Sequence, residues 1–179
     1  MGCEEVFFKR PTFSDRKTKR GLFRKNLSHS KSNKMKQQDF HCSIAAMVSP
    51  KEAFDSINQV SAWWAKNFEG SSQQSGDEFT VRFGPTFVQF KVAESLAGKK
   101  SVWEVIDCNL HWIEDKTEWT GTRIVWEVTP TADGGSKIDF THVGLVPEAE
   151  CYSTCEPGWN QHVKVSLLNL MTKKKGLPV

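Results

Sequence analysis

The sequence has little of what most enzyme classes need. It contains a single tyrosine, and none of its apolar runs approaches the roughly 18 residues of a membrane-spanning helix. The N-terminus shows no apolar stretch followed by a cleavage site, so no secretory leader is expected. It opens with MGCEEV, but Val6 stands where an N-myristoylation motif requires Ser or Thr. The five cysteines are odd in number and scattered at positions 3, 42, 108, 151 and 155. That spacing outlines no disulfide framework; free thiols in a cytoplasmic protein are the expectation. There is no Gly-rich phosphate loop, no Gly-x-Ser-x-Gly elbow and no His-Glu-x-x-His pair. No closely spaced carboxylates suggest acid–base work. Neither a cofactor nor a metal is expected.

What is present divides unevenly. Residues 1–38 carry eleven Lys and Arg against three Asp and Glu, whereas the remainder carries thirteen against eighteen. The first segment is Lys-, Arg- and Ser-rich without a helical or strand period, so it is expected to be a disordered basic tail. Two readings follow. Such a tail can neutralise phosphates on nucleic acid or an acidic membrane. Alternatively it stands outside the working protein, with Met35 as the natural start. The second is preferred, and nucleic acid is not an expected partner.

From Phe40 the pattern becomes regular, and residues 39–179 read as one domain. FHCSIAAMV is a first strand. SPKEAFDSI starts a helix, with Ser49 as cap, Pro50 in the first turn and Glu52 completing a capping box. VSAWWAKNF offers a second short helix with Ser61 as cap. Alternation then marks strands through Phe79, Val81 and Phe83; Val88, Phe90 and Val92; a long irregular segment at 101–114; Ile124, Trp126 and Val128; and Ile138, Phe140 and His142. ADGG is a hairpin turn. A last helix is read from Pro157 to Lys175, with Gly176 as its stop and a length of about 28 Å. Hairpins in series imply an antiparallel sheet. Helices segregated from it imply an α+β fold of about six to seven strands, whose concave face can wrap the long helix and leave a cavity.

Three stretches, SPKEAFDSINQVSAWW, FTHVGL and CEPGWNQHVKVSLLNLMTKKKGLP, resemble the START-like, or SRPBCC, superfamily in its branch related to the activator of the heat-shock-protein-90 ATPase. The resemblance covers residues 39–178. The ending resembles members with a Gly-Lys-Gly-x-Pro pattern, although Lys174 stands in place of the first Gly. It implies a helix-grip fold. Members bind hydrophobic small molecules, cyclise polyketides or assist the chaperone, and fold alone does not choose among these.

THVGLVPEAECYSTCEPGW gathers His142, Cys151 and Cys155. A structural zinc site wants a second ligand pair, which is missing, and His162 lies about 10 Å farther along the helix from Cys155. A redox pair wants two intervening residues rather than three. Cys155 near a helix start could serve as a nucleophile if a base stood beside it. The favoured reading packs it beneath the helix as a small apolar residue. His142, sharing a face with Ile138 and Phe140, should point inward, either hydrogen-bonded or orienting a ligand. The residues expected to line a grip-type cavity are Phe83, Trp103, Trp126, His142, Val163 and Leu167. The function expected is non-catalytic binding of a small hydrophobic molecule. A chaperone co-activator and a cyclase- or hydrolase-type enzyme using His142 are the alternatives.

Overall fold

The computed structural model describes residues 38–179; the expected basic tail lies outside them. Seven strands form one sheet: β1 (Phe40–Ala46), β2 (Asn67–Gly70), β3 (Glu78–Phe83), β4 (Thr86–Leu96), β5 (Lys100–Asn109), β6 (Arg123–Pro130) and β7 (Ser136–Val143). Their spatial order is β1-β7-β6-β5-β4-β3-β2, with every neighbouring pair antiparallel. Alternation produces this sheet. Phe40, Cys42, Ile44 and Ala46 of β1 are buried while the residues between them are exposed, and β6 and β7 follow the same rule. Two register shifts interrupt β4 against β5, between Gln89 and Phe90 and between Val92 and Glu94. The first leaves Ile106 of β5 unpaired and is the irregularity expected in 101–114; the second leaves Ala93 of β4 unpaired, and such bulges bend a sheet. The strand itself ends at Asn109, and an irregular loop, 110–122, follows it.

Between β1 and β2 lie α1 (Pro50–Asn58) and α2 (Val60–Trp63). Ser49 caps α1, its Oγ accepting from the Glu52 amide at 3.2 Å, with Pro50 in the first turn. The Glu52 carboxylate pairs with Lys174. Ser61 is not a cap, contrary to expectation. It lies inside α2, whose entry at Gln59 has no side-chain cap, because α1 runs into α2 after a single residue.

The C-terminal helix begins earlier than Pro157. It comprises α3 (Tyr152–Gln161), a π-helical segment at His162–Leu167, and α4 (Leu168–Lys173). Pro157 is internal to α3. The entry to the helix is held from elsewhere in the chain: the Glu118 carboxylate accepts from the amide of Cys151, the N-cap residue, at 3.0 Å and from Glu150 N just before it at 2.5 Å. The stop also differs from expectation. Lys174 adopts the left-handed conformation, with φ 57°. Gly176 has another use: a Cβ there would stand 2.2 Å from the Ala62 carbonyl oxygen, so its lack of a side chain lets the tail lie against α2. Ser166 fixes the same junction, donating to Trp63 O at 2.5 Å and accepting from Leu177 N at 2.6 Å.

The core lies between the concave face and this helix. Trp63, Trp103, Trp126, Phe79, Phe90 and Phe140 are among its largest fully buried side chains. Edge-to-face contacts link several of them, with centroids 5.7 Å apart for Trp63–Trp126 and for Trp103–Trp126, and 4.7 Å for Trp126–Phe140.

Candidate functional site

A cleft of about 200 Å³, partly open to solvent, lies between the first part of the C-terminal helix, the sheet and the 110–122 loop. The end of β3 and the start of β4 supply Phe83, Thr86 and Val88. The 110–122 loop supplies Leu110, Trp112 and Trp119. Helix α3 supplies Thr154, Cys155, Gly158 and Trp159, the π segment supplies His162, and Trp64 and Val179 complete the wall. No Asp, Glu, Lys or Arg is among these residues. Trp112, 44% exposed, and Val179, 60% exposed, stand at the mouth.

Two carboxylates hold the loop against the helix. Glu118 of the loop accepts from the Glu150 and Cys151 amides that lead into the helix, as described. Glu150, just before the helix, accepts in return from Glu114 N at 2.8 Å and Asp115 N at 3.1 Å. This reciprocal clip places a loop without regular structure beside α3. Charge-assisted bonds to backbone amides of this kind are stronger than neutral ones.

Behind the wall a polar chain fixes the two facing tryptophans. Trp159 Nε1 donates to His142 Nδ1 at 3.1 Å. That leaves the imidazole proton on Nε2, which donates to Thr122 Oγ1 at 3.0 Å. Thr122 Oγ1 in turn donates to Trp119 O at 2.6 Å. One proton arrangement satisfies the whole chain. Burial depresses the His142 pKa to about 3, so the ring is neutral. Trp119 packs edge-on to His142 with centroids 4.7 Å apart and stacks on Trp159 at 5.8 Å and 14°.

Trp119 Nε1 donates to Cys151 Sγ at 3.1 Å. The neighbouring Cys155 thiol together with burial pushes the Cys151 thiol upward, away from the thiolate. Both are free thiols. Among the described residues, no group of three or more His, Cys, Asp or Glu could hold a metal ion.

No protein-family model and no curated protein matches the chain. Solved structures do. The Aha1 dimer of Colwellia psychrerythraea is 20% identical with a TM-score of 0.63, covering 78% of this chain and 99% of that one. A protein of Mesorhizobium loti is 15% identical with a TM-score of 0.61, covering 78% and 100%. A protein of Nitrosospira multiformis is 8% identical with a TM-score of 0.60, covering 76% and 98%. The chain has the helix-grip fold.

Within the helix-grip frame the six expected cavity residues separate. Phe83 lines the cleft. Trp103, Trp126, His142, Val163 and Leu167 are fully buried and do not appear in its wall. They form the packed floor behind it, with His142 directly behind Trp119 and Trp159. Trp103 and Trp126 leave their indole nitrogens without hydrogen-bond partners among the described residues. Trp119 escaped sequence reasoning because DKTEWTGT has no period; its neighbour Gly121, at φ 84°, marks only a turn. The sequence offers His162 only as a candidate metal ligand, yet it is the histidine in the wall. Among the described residues, no helix is long and apolar enough to cross a membrane.

Proposed function

We propose that residues 39–179 act as one unit that binds a small, largely apolar molecule in the cleft between the helix, the β3–β4 end of the sheet and the 110–122 loop, without transforming it. The observation that carries this reading is the cleft itself: about 200 Å³, walled mainly by aromatic and aliphatic side chains, with Thr86, Thr154, Cys155 and His162 among them and no Asp, Glu, Lys or Arg. Ligand pockets combine apolar walls with few polar groups in this way. The volume is below the usual range of roughly 300–1,000 Å³ for such sites. An apolar cavity of about 150 Å³ accommodates benzene. The occupant is therefore a molecule of one or two rings.

A catalytic role for His142 has less support. Both of its nitrogens are hydrogen-bonded, it has no exposure, and its pKa is too low for a base near neutral pH. The chaperone reading draws on one observation, the likeness to the Colwellia Aha1 dimer, which extends over nearly all of that chain. Such a role would use the surface and would persist with the cleft filled. A cytoplasmic location agrees with four unpaired thiols, at Cys42, Cys108, Cys151 and Cys155.

Gly158 provides the test. It lines the cleft, and a Cβ built there meets no atom within 4 Å. Gly158→Leu should occupy the space without displacing its neighbours. Titration of the full chain with naphthalene, followed by tryptophan fluorescence, should saturate in the wild type and lose its response in Gly158→Leu. Equal naphthalene binding by both proteins would sink the cleft reading.

A further inference from the structure

Resting on the cleft as a binding site, the geometry points to His162 as the residue that reads the ligand, and to an uncharged planar aromatic molecule of one or two rings bearing a hydroxyl or N–H as the ligand class. The planarity follows from the wall. Trp119 and Trp159 are nearly parallel and stacked on each other, and Trp64 lies tilted 4.8 Å from Trp159, so the three rings together give the cleft an aromatic wall. Flat rings stack on such faces with little loss of freedom. Neutrality follows from the absence of charged residues in the lining, because a charge entering an apolar cleft without a counter-charge pays a large desolvation penalty.

The polar requirement comes from His162. Its half-buried ring lines the cleft and stands against Trp64 and Trp159, with centroids 6.4 and 6.5 Å away; Nδ1 is sealed from solvent without a hydrogen-bond partner, which leaves Nε2 as the ring nitrogen that meets a ligand. Desolvation lowers its pKa, so the imidazole stays neutral and carries one N–H and one bare lone pair. Apart from Thr154, which lies exposed at the edge, the other polar side chains deeper in the cleft are already engaged. Trp119 N–H is held by Cys151 and Trp159 N–H by His142, while Thr86 Oγ1 accepts from His111 N at 3.4 Å. A ligand hydroxyl both donates and accepts, so it satisfies either tautomer of His162. His162 is also the first residue of the π-helical segment. Such widened turns carry an extra residue within a helix and recur at functional sites. Here the widened turn begins at the imidazole.

Phenol and toluene, equal in shape and different in one hydroxyl, separate the two claims. The assay is a titration of the full-length protein followed by amide NMR shifts, with 15N-labelled histidine to observe the imidazole. Wild type should bind phenol about tenfold more tightly than toluene, the worth of one buried hydrogen bond. Phenol alone should move the His162 ring-nitrogen resonances. His162→Phe should keep toluene binding and lose the preference for phenol, whereas His162→Gln should retain part of it. Equal affinity for both probes in the wild type, or an unchanged preference in His162→Phe, would overturn the assignment of His162 and leave the cleft standing. Should His162→Phe not fold, the wild-type imidazole response decides: no phenol-specific shift overturns the assignment. If neither probe binds at cleft residues, the binding reading itself falls.

Discussion

Acidification from pH 7 to pH 5 should weaken the fold through His142, and the size of the effect can be worked out. The ring is fully buried and its pKa is depressed from 6.5 to about 3. An unfolded chain exposes the same ring to water, where it titrates at its ordinary value. Below pH 6.5 the unfolded state therefore binds a proton that the native state refuses, and stability falls as the pH falls. The contribution is fully present above pH 6.5 and is lost progressively toward pH 3. Between pH 7 and pH 5 the loss integrates to about 2 kcal/mol, at close to 1.4 kcal/mol per pH unit once the unfolded ring is protonated. His162, also depressed by burial, adds a smaller loss of the same sign. Urea unfolding at pH 7, 6 and 5, with tryptophan fluorescence as the probe, measures the slope. His142→Gln removes the titrating group and should flatten it by about 2 kcal/mol over that interval. At pH 7 the variant should itself be weaker by about 1–3 kcal/mol, because Trp159 N–H and Thr122 lose a well-aligned partner. An unchanged slope in His142→Gln would refute the picture of a neutral imidazole sealed behind the wall.

Other perturbations test separate parts of the structure. Gly158→Leu should raise stability by about 0.5–1 kcal/mol, because it replaces a poor helix former and adds apolar contact; a lower urea midpoint would show that the space is not there. Glu118→Ala strips two amides at the helix start of their acceptor and should cost about 1–2 kcal/mol, with faster hydrogen exchange at Glu150 and Cys151. Unchanged exchange would mean that the clip is not formed in solution. Gly176→Ala should lower the unfolding midpoint and expose the tail to carboxypeptidase, because its Cβ would collide with the Ala62 carbonyl; a midpoint equal to wild type would contradict that close approach.

Most of the sheet was legible because the period of two is a local signal. Ile124, Trp126 and Val128 face inward with Ile138, Phe140 and His142, as their alternation required. Ser49, Pro50 and Glu52 marked the start of α1 for the same reason, all within one turn. β2 was missed because NFEG is four residues with no buried member to betray a face. The start of the long helix was misplaced at Pro157 because its acceptor, Glu118, lies 33 positions before Cys151, and no local motif reports such a cap. The site was less legible than the fold. Alternation tells which residues face inward but not whether another element covers them: Trp103, Trp126, Val163 and Leu167 belong to the packed core between sheet and helix. The cleft lies where the 110–122 loop, the helix and the β3–β4 end of the sheet meet. Loop conformation depends on long-range bonds such as the Glu118–Glu150 clip, and the π-helical segment shifts the helix face by one residue, which regular spacing does not anticipate.

The central claim, that the cleft is a binding site, is tested most directly by native mass spectrometry of the full-length protein purified from its own cells, followed by denaturing release. The account predicts a stoichiometric small-molecule adduct that is lost on denaturation and is absent from Gly158→Leu prepared in the same way. A clean unliganded mass for the wild type, or an adduct retained equally by Gly158→Leu, would contradict it.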